Sequence, residues 1–466
     1  MSEYVLQSRW RLEGRKLHYY GLRNRENLFH NEIRVSKKQA AIIATLPRTL
    51  SKLEQRLLGR LLGQQVVPAE QLVKVPTSLG EAHFCTSCCA NDFIIPGLEF
   101  DQEGRCPMCQ TAKETEALQS LVPLIDTFPK ARKSRFDVAL FYTGGKDSTF
   151  LLYHLAKEQN LRVLALTWEI PFISASAKAS IEHAKQRFPH VEFLQRTMSR
   201  TDLEKIYAQL YKLSGNTCAC PSLAYLLFYP ELVANRVPYF LVGNEPVQML
   251  GLYYNHIAPK FAYGFAKNRA VSAIINMGRI LTLHPPFRPG QLQTLLTMKQ
   301  LAYGDHTLKR LSGYCSPLVS NVVEAIHQVP ELLPPLRRSI RTSSWSGNIP
   351  AFVHLDFDKL CGGKYDWNHV KQLLIEECGW VPPADDKKSL HTSCRIEKCK
   401  DYSQFIRFYH CKSKMIPFSS LEISLASRNC GVSREEMLYE MERQLGCSLE
   451  EPLECAAMRD FLEGRS

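Results

Sequence analysis

Short apolar runs alternate with helix-like patterns through the middle of the chain. The runs are Asp137–Phe141, Val163–Trp168, Val191–Leu194 and Pro238–Val242. Helices are expected after the first two runs, at Ser148–Lys157 and near residues 177–187. Strands that are buried on both faces and separated by helices are typical of a parallel sheet covered on both sides. We therefore expect an α/β fold with a doubly wound, mostly parallel sheet.

The first 80 residues carry a different pattern. Trp10–Leu22 alternates between apolar and polar positions as a strand does, and Ser51–Glu54 fits the Ser-x-x-Glu capping box that opens a helix. The apolar periodicity of that helix continues to Leu62, and Gly63 is a suitable stop. These features predict a small α+β module with a winged-helix-like arrangement. Such a module would either bind a peptide, a nucleic acid or another partner, or simply pack against the rest of the chain.

Composition narrows the class of protein. The chain has 466 residues, of which 45% are hydrophobic and 22% charged, an ordinary globular balance that suggests about two to four domains. Its N-terminus lacks a secretory pattern, and no apolar stretch reaches the ~18 residues that a membrane helix needs. We therefore expect a cytoplasmic protein with no membrane partner. The net charge of +12 fits a basic surface, a nucleic-acid partner or a site for anionic nucleotides and sugars.

Sixteen cysteines need an explanation in a cytoplasmic chain, where disulfides are rare and metal sites or thiol chemistry are common. Cys85 and Cys88 form one C-x2-C pair, and Cys106 and Cys109 form another, with seventeen residues between the pairs. Four thiolates in two close pairs form a tetrahedral cage for Zn²⁺. Because no position is left for water, we expect this zinc to be structural. Cys89 is a spare thiol beside the set.

A second local pattern follows the first predicted strand. It reads Thr143-Gly144-Gly145-Lys146-Asp147-Ser148. Two glycines between a strand and a helix N-terminus allow backbone N–H groups to approach phosphate oxygens, and the helix dipole favours their negative charge. Thr143 and Ser148 add hydroxyl donors. Lys146 can neutralise phosphate charge, and Asp147 can hold Mg²⁺ or cap the helix. The pattern predicts a nucleotide-binding loop, although an ordinary strand–helix turn would have the same outline.

The spacing of this loop differs from that of a Walker A loop and resembles the Ser-Gly-Gly-x-Asp-Ser signature of PP-loop ATP pyrophosphatases, with Thr143 in place of the first serine. Members of that superfamily have a Rossmann-like sheet, transfer AMP from ATP to a carbonyl or amide oxygen of the substrate, and release pyrophosphate. Ammonia or a sulfur nucleophile then displaces AMP. The resemblance implies binding of ATP and Mg²⁺, with Trp168 beside the adenine. An intact loop speaks against a purely non-catalytic binding module.

The cysteine knuckle and the loop together resemble a narrower family. Residues 100–109 read Phe-Asp-x-x-Gly-x-Cys-x-x-Cys shortly before the loop, which is similar to the N-acetyl sugar amidotransferases, and a late Gly-Trp…Ser-Arg-Glu-Glu pattern is similar too. This resemblance implies conversion of an acetamido to an acetamidino group, with ammonia from a separate glutaminase. It also implies an active site bordered by Gly243 and Glu245. An amidotransferase acting on an N-acetyl sugar or a related small-molecule amide is the first hypothesis.

A cysteine pair departs from the pattern of the sugar family. Cys218 and Cys220 lie where PP-loop tRNA thiolases carry a Cys-x-x-Cys, although here only one residue separates them. In those enzymes the cysteines carry persulfide sulfur or bind an iron–sulfur cluster, and a helix N-terminus activates a thiol. The alternative function is an ATP-dependent sulfurtransferase that thiolates tRNA, a small molecule or a peptide, with a sulfur-donor protein as partner. Two small buried residues would be the simpler structural explanation.

The remaining cysteines leave two alternatives open. Four residues have side chains that can bind a metal but are irregularly spaced: His391, Cys394, Cys399 and Cys411. They either form a second metal site or occupy ordinary core and surface positions.

The expected division of the chain has four parts. They are the N-terminal module 1–80, the zinc knuckle 81–112, the ATP-binding domain 113–350 and the helix-rich C-terminal region 351–466.

Overall fold

The computed structural model describes residues 2–23, 32–110, 122–170, 172–215, 219–255, 269–306, 317–385 and 387–463. Its strands are β1 (Glu3–Leu6), β2 (Trp10–Glu13), β3 (Lys16–Tyr19), β4 (Glu32–Arg34), β5 (Arg48–Thr49), β6 (Val66–Pro68), β7 (Val138–Phe141), β8 (Val163–Trp168), β9 (Glu192–Arg196), β10 (Tyr239–Val242) and β11 (Ala351–Phe352). Its helices are α1 (Lys37–Ile43), α2 (Lys52–Leu58), α3 (Pro107–Gln110), α4 (Lys146–Tyr153), α5 (Ala175–Arg187), α6 (Arg200–Ser214), α7 (Cys220–Ala234), α8 (Pro246–Tyr254), α9 (Arg269–Leu281), α10 (Gln291–Tyr303), α11 (Pro317–Ile326), α12 (Leu333–Ser346), α13 (Phe357–Leu360), α14 (Trp367–Cys378), α15 (Glu397–Tyr409), α16 (Phe418–Asn429), α17 (Arg434–Arg443) and α18 (Cys455–Leu462).

The centre of the molecule is a parallel sheet of five strands in the order β11-β10-β7-β8-β9. Each neighbouring pair of strands in this sheet is parallel. β7 and β8 are buried along their whole length, as continuous apolar runs between two layers of helices should be. The expected α/β fold with a parallel sheet is confirmed.

Alternate residues of β7 enter two different hydrophobic cores. Val138 and Leu140 belong to a core built with α4, α5 and α14. Ala139 and Phe141 belong to a second core, built with α6, α7, α11 and α12. The two-residue repeat of a strand sends neighbouring side chains to opposite faces of the sheet, so one apolar run supplies both cores. Helices therefore cover the sheet on both faces, as in a doubly wound fold.

The N-terminal module contains two small antiparallel sheets, in the orders β5-β1-β6 and β2-β3-β4. Its own core includes Trp10 and Leu58. The guanidinium of Arg9 fastens the module to the end of α15, where it donates to the backbone oxygens of Phe408 at 2.8 Å and Tyr409 at 2.6 Å. The β2–β3 hairpin precedes α1 and α2 in the chain. The winged-helix-like arrangement and the four domain boundaries remain predictions.

One helix of this module is shorter than expected. The apolar periodicity predicted a helix through Leu62, but α2 ends at Leu58. Gly59 adopts a φ of 55° and a ψ of −121°, a conformation that glycine tolerates best. A 3₁₀ turn over Gly59–Leu61 then carries the same apolar side chains onward, which is why the periodicity outlasts the helix.

The C-terminal region is mostly helical and folds back onto the sheet. α14 packs against α4 and α5, and α16 packs against α8 and α17. Between α14 and α15 the chain crosses the carboxyl edge of the sheet, where it meets the loop after β7. Within the described ranges, no helix combines the length and the apolarity that crossing a bilayer requires.

Candidate functional site

A cavity of about 540 Å³ lies at the carboxyl edge of the parallel sheet. The ends of β7, β8 and β10 supply one wall through Tyr142, Trp168 and Gly243. β8 and β10 lie on opposite sides of β7, so the strand order reverses at this point. Open α/β sheets generally bind their ligands at such a switch point. Residues of α7, α10 and α15 complete the walls.

Two glycines allow the phosphate-type loop to form at the end of β7. Gly144 has a φ of 72°, and a Cβ there would lie 2.4 Å from the carbonyl oxygen of Ala177. At Gly243, at the end of β10, a Cβ would lie 2.7 Å from the backbone nitrogen of Ser148. A side chain at either position would force the backbones apart. These glycines therefore bring three elements, the loop, α5 and the end of β10, into close contact.

The hydroxyls of the loop hold each other in place. Thr143 Oγ1 and Ser148 Oγ are 3.1 Å apart, and the backbone N–H of Thr143 donates to Ser148 Oγ at 3.2 Å. Thr143, Gly145, Asp147 and Ser148 all line the cavity. The loop thus presents the hydroxyls, the backbone and the carboxylate that the sequence assigned to ATP and Mg²⁺.

Lys146 occupies a different environment from its neighbours in the loop. Its side chain is fully buried, and its ammonium donates to Glu245 Oε2 at 3.1 Å and to the Tyr365 hydroxyl at 3.2 Å, besides pairing with Asp147. Burial lowers the pKa of Lys146, but the carboxylates of Asp147 and Glu245 outweigh it and raise that pKa. The ammonium is therefore charged and already paired. Its expected role in neutralising phosphate remains a prediction.

Glu245 is the other half of this buried ion pair. It is fully buried, and the indole N–H of Trp367 donates to Oε2. Burial, followed by the neighbouring charge of Asp147, raises the pKa of Glu245 above its ordinary value, whereas the ammonium of Lys146 lowers it and favours the carboxylate. Oε1 has no hydrogen-bond partner among the described residues. The carboxylate fixes Lys146 beneath the loop rather than bordering the cavity, so its expected place at the border of the active site remains a prediction.

A segment distant in the sequence lies across the loop; we call residues 389–395 the strap. The backbone N–H of Lys146 donates to Thr392 Oγ1 at 3.1 Å. The backbone N–H of Ser174 donates to the carbonyl oxygen of Ser393 at 2.9 Å. At the start of the strap, Glu440 Oε1 accepts from two backbone N–H groups at 2.8 and 3.0 Å. The strap is therefore fixed at several points and forms part of the cavity wall.

Two ion pairs stand in the cavity wall beside the strap. His391 Nε2 lies 2.6 Å from Glu422 Oε2, and Lys400 pairs with Glu397 at the first turn of α15. All four side chains line the cavity. Burial and Lys400 lower the pKa of His391, but the carboxylates of Glu422 and Glu397 raise it to about 9. His391 is therefore a cation at neutral pH.

Trp168 lies at the end of β8 and lines the cavity, and its expected place beside the adenine remains a prediction. Its indole nitrogen is buried and has no hydrogen-bond partner in the described part of the chain. Cys220 is the first residue of α7, and its sulfur lies 3.5 Å from the Tyr207 hydroxyl. Cys220 and Cys394 both line the cavity. Cys218 lies outside the described residues.

The second set of candidate metal ligands is not assembled. His391 pairs with Glu422, whereas Cys399 lies beside Cys455, and Cys411 lies near Arg9 of the N-terminal module. Among the described residues, the one group of His, Cys, Asp or Glu side chains close enough to share a metal ion lies elsewhere. These four residues therefore do not form a second metal site, and Cys399 and Cys411 occupy ordinary packing positions.

That group is the predicted knuckle, whose ligand atoms all lie within 4.8 Å of one another; its members are Cys85, Cys88, Cys106 and Cys109. The sulfurs of Cys88 and Cys106 are 3.7 Å apart, close to the ~3.8 Å edge of a tetrahedron with Zn–S distances of ~2.3 Å. The backbone N–H of Cys106 donates to Cys85 Sγ at 3.2 Å, a contact that favours a thiolate. The four residues fit a metal ion.

Cys89 does not compete for this metal. Its sulfur lies 3.6 Å from Ser427 Oγ and 3.8 Å from the carbonyl oxygen of Arg434, away from the other four sulfurs. Arg434 also donates to the backbone oxygens of Cys85 at 2.9 Å and Cys88 at 2.8 Å. The knuckle is thereby anchored to the first residue of α17.

Comparisons with known proteins identify no family. No protein-family model matches the chain, and no curated protein matches it. Among solved structures, it is similar to the U34-tRNA thiolase NcsA from Methanococcus maripaludis, a structure with a [4Fe-4S] cluster, at 13% identity over 55% of this chain and 84% of that chain. The TM-score is 0.19, an overlap that establishes neither a shared fold nor a shared activity. The resemblance to the N-acetyl sugar amidotransferases remains a prediction.

Proposed function

We propose that this protein is an ATP-dependent transferase that adenylylates a carbonyl or amide oxygen of its acceptor, releases pyrophosphate, and replaces that oxygen with sulfur. One observation carries the proposal: two thiols, Cys220 and Cys394, line the same cavity as the loop Thr143–Ser148. A phosphate-binding loop alone would fit many ATP-using enzymes. Thiols in the same cavity place a sulfur nucleophile within the space where an activated acceptor would lie.

The nucleotide binds along the carboxyl edge of the sheet. The glycine backbone and hydroxyls of the loop hold the phosphates at the N-terminus of α4, and Trp168 lies beside the adenine. Asp147 holds Mg²⁺, which supplies charge neutralisation at the phosphates when bound. The acceptor oxygen attacks the α-phosphorus, the bond from that phosphorus to the bridging oxygen breaks, and pyrophosphate leaves with the electron pair.

Sulfur then replaces the activated oxygen. Cys220 stands at the N-terminus of α7, where the helix dipole favours a thiolate able to carry a terminal persulfide sulfur from a donor protein. That sulfur attacks the acceptor carbon, and AMP leaves with the oxygen and its bonding electrons. A second thiol then cleaves the remaining S–S bond, and Cys394, which lines the same cavity, provides that thiol. A dithiol reductant restores both thiols.

Transfer of nitrogen is the second candidate. The order of the knuckle, the loop and the strand end at Gly243 favours it, because that order is similar to the N-acetyl sugar amidotransferases. In that case ammonia from a separate glutaminase attacks the same adenylylated carbon, and no protein thiol takes part. The two candidates share the first half-reaction and differ in the second.

Two measurements test the proposal. Product analysis after incubation with ATP and an extract of cells lacking the gene should find AMP and pyrophosphate, and ADP as the main product would reject the whole assignment. Mass spectrometry of the modified acceptor then separates the candidates, since sulfur for oxygen raises the mass and NH for oxygen slightly lowers it. The acceptor classes to examine are tRNA, peptides, and small amides including N-acetyl sugars.

The N-terminal module is proposed to recruit the acceptor or a partner protein. It has its own core and is joined to α15 through Arg9, so it is built as an attached unit. Deleting residues 1–80 should lower activity on the natural acceptor more than it lowers ATP binding. An equal loss of both would indicate that the module only supports the fold.

A further inference from the structure

Besides Mg²⁺, any cationic side chain that contacts the ATP phosphates has to come from outside the loop. Lys146, the basic residue of the loop, is fully buried, is paired with Asp147 and Glu245, and does not line the cavity. A triphosphate entering the cavity would meet the backbone and hydroxyls of the loop and the carboxylate of Asp147. An anion of several charges needs cations in its surroundings as well.

The described residues that line the cavity include two basic side chains, His391 and Lys400. Both stand on the strap side of the cavity, His391 on the strap itself and Lys400 in the first turn of α15. Each side chain is largely enclosed, with 18% of the His391 side chain and 12% of the Lys400 side chain exposed. Their carboxylate partners, Glu422 and Glu397, hold the charged groups in place in the absence of an anion.

The strap is close enough to share a ligand with the loop. A Cβ on Gly145 would lie 3.2 Å from Thr392 Oγ1 and 3.3 Å from Ser393 Cβ, so side chains of the strap lie close against the backbone of the loop. Thr392 Oγ1 already accepts from the N–H of Lys146, one of the backbone donors expected to face phosphate. Any phosphate bound by this turn of the loop therefore lies beside the strap hydroxyls.

The geometry points to a polyphosphate clamp formed by His391, Thr392 and Lys400, which binds the β- and γ-phosphates of ATP from the side opposite the loop. This inference rests on the proposed function, in which those phosphates become the pyrophosphate leaving group. The clamp adds two cations where charge develops as the bond to pyrophosphate breaks, while the loop supplies backbone donors. The clamp then stabilises the phosphate charge and the loop donates backbone hydrogen bonds, although the two segments are far apart in the sequence.

Binding experiments on the full chain test the clamp. The probes are inorganic pyrophosphate, AMP and the α,β-methylene analogue of ATP, measured by calorimetry in the presence of Mg²⁺. We expect Lys400→Gln to weaken binding of pyrophosphate and of the ATP analogue by about tenfold, and to leave AMP binding within about twofold of wild type. A lysine that merely supports the fold would affect all three ligands alike.

Matched variants separate the effects of the Lys400 charge and the Thr392 hydroxyl from the effect of side-chain packing. Lys398 lies on the same helix but pairs with Glu454 and does not line the cavity, so Lys398→Gln should bind all three ligands like wild type. Thr392→Val keeps the shape of the side chain and should weaken pyrophosphate binding, and Thr392→Ser should restore it. Thermal melting of each variant confirms that it is folded before binding is compared.

The outcomes distinguish failure of the clamp from failure of the proposed function. If wild type binds the ATP analogue and Lys400→Gln and Thr392→Val bind all three probes as tightly as wild type, the clamp is wrong and the proposed function stands. An equal loss of AMP and pyrophosphate binding would also overturn the clamp, because it indicates a structural role. If wild type binds neither the ATP analogue nor pyrophosphate, the proposed function itself fails.

Discussion

The cysteine knuckle and the cavity at the sheet edge contain the same residue type in opposite circumstances. In the knuckle, four sulfurs lie within 4.8 Å of one another, and those of Cys85 and Cys88 also accept backbone N–H groups. In the cavity, Cys220 and Cys394 face a space of about 540 Å³ beside a phosphate-type loop. A closed set of thiols stabilises a fold, whereas thiols that border a cavity are available to a substrate.

The same contrast holds for charged groups. Lys146 and Glu245 form a closed pair with no exposed surface, although sequence reasoning gave both a place at the ligand. His391 and Lys400 are basic side chains that are likewise paired with carboxylates, but both line the cavity. Access to the cavity, rather than residue type or motif membership, therefore separates structural groups from groups that can meet a ligand.

The largest expected effect is on the knuckle. Cys106→Ser should lose the bound zinc and unfold at least the knuckle, because metal binding contributes ~10 kcal/mol or more to folding at such sites. Elemental analysis and thermal melting provide the readout, and Cys89→Ser is the matched control because its sulfur lies outside the cluster. A well-folded wild-type protein without zinc would contradict the closed-cluster description.

The next effect concerns catalysis in the open region. Cys220→Ser should lower formation of the thiolated product by at least about a thousandfold, ~4 kcal/mol in activation free energy, while ATP binding and the melting temperature stay close to wild type. Cys361→Ser, a partly buried cysteine that does not line the cavity, should remain active. Full activity of Cys220→Ser would instead favour transfer of nitrogen.

A smaller effect is expected for the buried ion pair. Lys146→Met should destabilise the fold by about 3 kcal/mol, because it leaves the carboxylate of Glu245 buried beside Asp147 without a cation. Denaturant unfolding measures this loss. Adding Glu245→Gln to the variant should recover part of the stability, since the uncompensated charge is removed. A Lys146→Met protein as stable as wild type would show that the pair is not a closed structural unit.

The smallest expected effect is a pH dependence at His391. Its pKa is raised from 6.5 to about 9 in the folded protein, with Glu422, Glu397 and Lys400 as the charged groups facing it. The raised pKa of His391 stabilises the folded protein fully below about pH 6.5. This contribution to stability is lost as the pH rises through about 9. The gap in melting temperature between wild type and His391→Gln should therefore narrow across this range. A gap that is constant with pH would mean that His391 is not held as a cation.

Much of the fold followed from local patterns in the sequence. The runs at Asp137–Phe141 and Val163–Trp168 became the two central strands, because continuous apolar residues can be buried on both faces. Local patterns failed where a backbone detail intervened, as at Gly59, which ends α2 early. They left the roles of Cys399 and Cys411 open, because both have ligand chemistry, and the fold places them apart.

The sequence by itself determined the features that depend on neighbours along the chain. C-x2-C spacing brings two sulfurs together within one turn, and a Gly-Gly pair between a strand and a helix creates a turn open to phosphate. Only the tertiary structure decided which charges meet the cavity. Thr392 reaches the loop from 246 residues away, and Lys146 is turned from solvent by Glu245, 99 residues later. Such contacts depend on how distant helices pack against the sheet, and no periodicity or spacing along the chain encodes that packing.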